Sequence, residues 1–275
     1  MRLLPMSLFV ILLLGIFAPL RTSAQQDIIL PCDAPYSDLF AGSDADVTLI
    51  VYTVETDSAV VVNPRRAAQR FAPYSTFKIF NALVALDSGA MSDVETQIAY
   101  DAEQYPLFDL PNEFPFDEWR NDHNLRTGIQ YSVVWFYTEV ARLIGQETMQ
   151  QYLDAMPYGN ADASAWIDER QFWLGNGLEI SAWEQIDFLR RFLADDLPFS
   201  SETVAAVREI LILDATEDYI YSGKTGTAAS GGLARFVGYL EFADETIIFA
   251  INGEITPTQR NQWVDALVEH LTRCR

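Results

Sequence analysis

Apolar positions along the chain follow two different periods. β-Branched runs from Val47 to Val54 (VTLIVYTV) and from Ala59 to Val62 flank Glu55-Thr56-Asp57-Ser58, which predicts an early antiparallel hairpin. Gly232 to Phe242 and Thr246 to Asn252 predict two more strands, with Ala243-Asp244-Glu245 turning between them. Between these regions the spacing is helical: Ser75 to Leu86, Val133 to Ile144, Glu147 to Ala155, Ser181 to Leu193 and Glu202 to Leu211. A last helix is predicted from Pro257, a residue suited to a first turn, to Leu271. Tyr100 to Asn124, rich in Pro, Asp, Phe and Trp, has no clean period and reads as loop. No repeat or polar linker divides the chain. Strands at both ends with helices between predict an α+β fold, one antiparallel sheet built from both chain ends and covered by helices.

Residues 3–20 are nearly all apolar behind Arg2, and Thr22-Ser23-Ala24 supplies a small-residue cleavage site. That pattern predicts a signal peptide over 1–24, a single domain over 25–275, and a secreted or periplasmic protein without stable membrane association. An uncleaved anchor is the alternative, since the stretch is long enough to span a thinner bilayer. Cys32 follows Leu30-Pro31 rather than small residues, which argues against a lipid anchor.

Charge narrows the partners. Lys and Arg number 18 against 39 Asp and Glu, a formal net charge of −21, so nucleic acid and anionic membrane are excluded as partners. His123, His270, Cys32 and Cys274 lie far apart without metal-ligand spacing, so no metal is expected. In an oxidising compartment Cys32 and Cys274, near opposite ends of the chain, are expected to pair.

The chain has 16 arginines but only two lysines, and each lysine sits in a pattern. Lys78 follows Ser75 by three residues, on one helix face where the helix from Thr76 should begin. A serine hydroxyl is a poor nucleophile until a neighbouring base takes its proton, and Lys78 can do so only as a neutral or altered amine. Taken alone, Ser75 reads as a helix N-cap and Lys78 as a solvated lysine. Lys224 opens Lys224-Thr225-Gly226-Thr227 after the turn-like Ser222-Gly223, just before the strand near Gly232. A glycine there lets a ligand lie close to the strand edge.

Ser-x-x-Lys joined to Lys-Thr-Gly is the combination of penicillin-recognising serine enzymes, and from Tyr52 to Leu271 the chain resembles class D (oxacillinase-type) serine β-lactamases. The resemblance rests on Ser75-Thr76-Phe77-Lys78-Ile79, Trp119-Arg120-Asn121-Asp122-His123, Tyr131-Ser132-Val133-Val134-Trp135-Phe136, Tyr158-Gly159-Asn160, Phe172-Trp173-Leu174, Ile180-Ser181-Ala182 and Gly223-Lys224-Thr225-Gly226, in the family's order. Ser-x-Val with Tyr-Gly-Asn separates class D from class A, whose second motif is Ser-Asp-Asn.

The resemblance implies the β-lactamase/transpeptidase-like fold, β-lactams as small-molecule partners and a monomer or homodimer. It implies that Ser75 forms an acyl-enzyme and that Lys78, carrying carbon dioxide as N6-carboxylysine, is the general base. No separate cofactor is implied beyond carbon dioxide or bicarbonate. Phe77, Val134, Trp173 and Leu174 would wall the carbamate pocket, with the Trp173 indole N–H as donor. Ser132 would relay a proton to the lactam nitrogen, a role compatible with a helix N-cap, and Lys224 would supply positive charge. Backbone N–H groups of Ser75 and Thr227 would form the oxyanion hole. Thr225, Gly226 and Arg260 would bind substrate, Arg260 from the loop before the final helix.

In two places the chain departs from the family. Where the family carries a Gly-Trp pair after Lys-Thr-Gly, it reads Leu233-Ala234-Arg235-Phe236-Val237-Gly238-Tyr239. The loop before Trp119, with Phe108, Phe114 and Phe116, is also individual. A penicillin-binding sensor that is acylated without turnover is the strongest rival reading, followed by a cell-wall transpeptidase or carboxypeptidase.

Overall fold

The computed structural model describes residues 28–108, 110–166, 171–229 and 231–275; the segment read as a signal peptide lies outside them. One antiparallel sheet of six strands organises the molecule. The strands are β1 (Val47–Thr53), β2 (Ser58–Val62), β3 (Ile212–Ala215), β4 (Tyr219–Thr227), β5 (Ala234–Phe242) and β6 (Thr246–Gly253), ordered β2-β1-β6-β5-β4-β3. Both ends of the chain thus build the sheet. The helices are α1 (Pro64–Ala67), α2 (Lys78–Asp87), α3 (Leu125–Gln130), α4 (Val134–Ile144), α5 (Gln146–Ala155), α6 (Ala182–Leu193), α7 (Ser201–Ile210) and α8 (Pro257–Arg273).

Alternation along the central strands divides the core in two. Leu49, Val51, Phe236, Phe249 and Ile251 point to the face covered by Trp263 and Leu267 of α8. Ile50, Tyr52, Val237, Tyr239, Ile248 and Ala250 point to the opposite face, against the larger helical region. Because both faces are covered, β1 and β6 read as unbroken apolar runs rather than alternating ones. Side-chain caps fix where the long helices begin. Ser181 Oγ accepts from Glu184 N while the Glu184 carboxylate accepts from Ser181 N at 2.9 Å, and Thr256 with Gln259 repeats the arrangement ahead of Pro257 in α8.

The structure differs from the expectations at short or polar elements. Ser222-Gly223 is not a turn: with Lys224-Thr225-Gly226, which does precede the strand expected near Gly232, it lies inside a strand of its own, β4, paired along its length with β5 from Tyr219–Phe242 to Thr227–Ala234. β3, α1 and α3 were likewise not expected. Among its described residues, Tyr100 to Asn124 is irregular apart from one 3-10 turn, Glu118–Arg120, and its ends are pinned by the Ile98–His123 bridge. A disulfide joins Cys32 to Cys274, with Cα atoms 5.3 Å apart, and ties the start of the described chain to the end of α8. Among the described residues no helix is long and apolar enough to cross a membrane.

Candidate active site

Ser75 lies in a 3-10 turn, Tyr74–Phe77, that runs directly into α2. The turn is held from three sides. Tyr74 N donates to Trp173 O (2.9 Å), Thr76 Oγ1 donates to Pro73 O (2.7 Å), and Gln185 Nε2 of α6 donates to Thr76 Oγ1 (2.8 Å). Tyr74 adopts φ +49°, a left-handed conformation that costs a non-glycine residue free energy and turns the chain sharply before Ser75. Ser75 makes no cap bond, and α2 itself starts at Lys78, so the N-cap reading of Ser75 does not hold.

Lys78 is 1% exposed rather than solvated, and Lys224 is 5% exposed. Lys78 Nζ donates to Ser75 Oγ at 2.6 Å and lies 3.5 Å from Ser132 Oγ. Lys224 Nζ reaches the same Ser132 Oγ at 3.0 Å, and also Thr225 Oγ1 at 3.2 Å and Thr225 O at 3.3 Å. Two amines therefore converge on one hydroxyl, and their hydrogen-bond partners among the described residues are hydroxyls and a carbonyl, with no carboxylate to steady the ammonium forms. Burial drives Lys78 well below the ordinary lysine range, and the charge of Lys224 pushes it the same way. Burial, then the Arg260 guanidinium, brings Lys224 down to about 7.

Ser132 is not an N-cap of α4. It terminates α3: Ser132 N donates to Ile129 O (3.3 Å), Val133 N donates to Gly128 O (2.9 Å), and φ is +58°. That is a Schellman ending with serine where glycine is usual. The backbone reversal brings the hydroxyl between the two lysines. Phe77 and Trp173 are fully buried with rings stacked 5.7 Å apart, whereas Val134 and Leu174 are half-buried. The Trp173 indole N–H is buried without an acceptor, so the pocket holds a donor in need of one.

On the far side, Lys224, Thr225, Gly226 and Thr227 form the end of β4, and the pairing of β3 with β4 stops at Ser222. A groove of about 370 Å³ follows this edge, lined among others by Arg126, Ile129, Glu209, Leu213, Lys224 and Thr225. Arg260 lies in the first turn of α8, not in the loop before it, because the helix starts at Pro257, as its sequence predicts, behind the Thr256 cap. Its Nη1 donates to Thr227 Oγ1 (2.8 Å) and to Gly226 O (3.4 Å). Burial lowers Arg260 to about 10.

Three contributors went unread in the sequence. Asn261 Oδ1 accepts from both Nε and Nη2 of Arg260, at 3.0 and 2.8 Å, and aims it at Thr227. Tyr137, fully buried, places its ring 5.5 Å from Lys78 Nζ. Arg235 is buried under the turn that carries Ser75, and only its departure from the family's Gly-Trp drew attention to it.

Comparison with known proteins agrees with this geometry. The penicillin binding protein transpeptidase domain family matches residues 45–266. The probable β-lactamase YbxI of Bacillus subtilis (strain 168) is 35% identical, covering 82% of each chain. The regulatory protein BlaR1 of Bacillus licheniformis is 31% identical over 79% of this chain but 35% of its own length. The solved class D β-lactamase BAT-2 superposes with a TM-score of 0.78 at 32% identity, covering 88% of this chain and 98% of that one. The match to the transpeptidase domain places the chain in the penicillin-recognising class. Within it, the chain belongs to the class D β-lactamases.

Proposed function

We propose that the chain is a serine β-lactamase that opens the lactam amide through a Ser75 acyl-enzyme, with Lys78 as the general base. The observation that carries this reading is the 2.6 Å contact between Ser75 Oγ and a buried, easily neutralised amine. Carbamylation of that amine by carbon dioxide, favoured because burial suppresses the ammonium form, would give N6-carboxylysine, a base for both acylation and the deacylating water. The acceptor-less Trp173 N–H and the flanking Phe77 fit such a group.

This chain's own residues divide the remaining steps. Ser75 Oγ attacks the lactam carbonyl as its proton leaves toward the Lys78 side chain. Ser132 Oγ, between the two lysines, delivers a proton to the departing lactam nitrogen. Backbone N–H groups of Ser75 and Thr227 receive the oxyanion, where losing one donor typically costs about 2.7–4 kcal/mol. Arg260, Lys224 and Thr225 form a cationic edge for the substrate carboxylate, and that anion restores the charge on Lys224 that burial suppresses. The disulfide suits an oxidising, extracytoplasmic compartment, so the proposed location is secreted or periplasmic.

Similarity to BlaR1 favours a second reading, a penicillin sensor acylated without turnover. Hydrolysis of a chromogenic cephalosporin with and without bicarbonate separates the two. Multiple turnovers stimulated by bicarbonate are expected; one equivalent of stable adduct would establish the sensor, and absence of label at Ser75 would end both.

A further inference from the structure

Beneath the turn that carries Ser75, a polar row crosses the sheet face that also carries Lys224. Thr48, Asn252, Arg235 and Gly226 are successive register partners across β1, β6, β5 and β4. The neighbouring row on that face is Ile50, Ala250, Val237 and Lys224. Arg235 is 0% exposed, and its Nε, Nη1 and Nη2 are all buried without a hydrogen-bond partner. Arg66 of α1, 1% exposed, donates Nε to Asn252 Oδ1 (3.0 Å) and Nη1 to Asp46 Oδ2 (2.7 Å). Its Nη2 and the Nδ2 of Asn252 have no acceptor.

Five buried nitrogens in one region of the fold are therefore donors without acceptors. Arg66 is neutralised by Asp46, but no carboxylate among the described residues bonds Arg235, so one positive charge is left over. The Tyr74 and Tyr158 phenols lie within electrostatic range of Arg235, as does the Arg66 guanidinium. A buried guanidinium without a counter-charge is strongly penalised. A water molecule accepts two hydrogen bonds and leaves the charge unmet.

We propose that this region binds a small monovalent inorganic anion of halide size, held by Arg235 together with Arg66 Nη2 and Asn252 Nδ2. A β-carbon on Gly226, the cross-strand partner of Arg235, would come 2.8 Å from Pro73 O and 2.9 Å from Arg235 Cγ. The anion thus underpins the contact between β4 and the nucleophile turn. It acts on the active site through packing alone, so Arg235 is a positioning residue.

The test uses the whole protein. Crystals soaked in sodium bromide are expected to give an anomalous peak within hydrogen-bond range of Arg235. Thermal unfolding in sodium chloride against sodium gluconate at matched ionic strength should show a saturable rise of about 2–4 °C, as about 1 kcal/mol gives for a chain of this size. Arg235→Met should abolish both. Ordered water without anomalous signal at Arg235, a carboxylate of the chain closing on it, or an undiminished chloride effect in Arg235→Met would each overturn the proposal.

Discussion

Ser132 holds φ +58°, a conformation that costs an L-residue roughly 1–2 kcal/mol, at the one place where its hydroxyl meets both lysines. Strain of this kind persists where surrounding structure over-determines it, here the α3 ending and the start of α4. Removing the hydroxyl and removing the strain can be separated. Ser132→Ala should lose activity and keep the strain. Ser132→Gly should lose activity as well but be more stable than Ser132→Ala by about 1 kcal/mol, measured by denaturant unfolding, less any entropy glycine adds to the unfolded chain. Equal stability of the two variants would show that the turn is not strained. For Lys78, Lys78→Ala should leave a β-lactam adduct on Ser75 that persists in the intact-protein mass, and rapid turnover by that variant would remove it as the base.

β4 is the element on which the site depends, because it offers Lys224, Thr225 and Thr227 at one edge while Gly226 lies against Pro73. Gly226→Ala has to push β4 away from the nucleophile turn, since a β-carbon there meets the Pro73 carbonyl oxygen at 2.8 Å. The expected result is a loss of about 1–3 kcal/mol in stability, the usual range for overpacking, and slower acylation of Ser75 by a labelled penicillin. The same element shows the limits of reading the sequence. β1, β5 and β6 were legible because both sheet faces are covered and their runs are mostly apolar, broken only by Thr48, Thr53, Arg235, Glu241, Thr246 and Asn252. β4, Tyr219 to Thr227, contains Ser222, Gly223, Lys224 and Gly226 and reads as a turn; only pairing with β5 makes it a strand. α3 was hidden for a related reason, being six residues with Gly128 inside, and its capping box, Asn124 with Thr127, stands at the end of a stretch read as loop. The chemistry was easier to read than its setting. Two lysines in the whole chain marked Ser75, Lys78 and Lys224, while Asn261 and Tyr137 gave no such signal, since their contributions arise only from what the fold brings beside them.

Across the molecule, a net charge of −21 surrounds a site whose buried ionisable groups beside Ser75 and Thr227 are the basic side chains Lys78, Lys224 and Arg260. The disulfide closes nearly the whole described chain. In the chain-entropy view so long a loop contributes at most about 5 kcal/mol, so replacing Cys32 and Cys274 by Ser should lower the melting temperature while leaving turnover at 25 °C intact. The buried lysines give stability a pH dependence of definite sign. Their folded pKa values are depressed, so between the folded and unfolded values the unfolded chain binds more protons than the native one, and stability rises with pH. For Lys224 that window runs from about 7 upward to the ordinary lysine value. The stabilisation is lost as pH falls across that window toward 7, and below it the profile levels off, because native and unfolded states both carry the ammonium. One such group contributes a slope of up to about 1.4 kcal/mol per pH unit. The unfolding free energy of the unmodified protein should therefore climb between pH 7 and 9, and Lys224→Met should flatten that climb by about one proton's worth while remaining folded at pH 7. A Lys224→Met variant whose pH profile parallels the parent would mean that the amine is hydrated and charged in the folded protein, and that Ser132 stands beside an ordinary ammonium instead of a readily neutralised one.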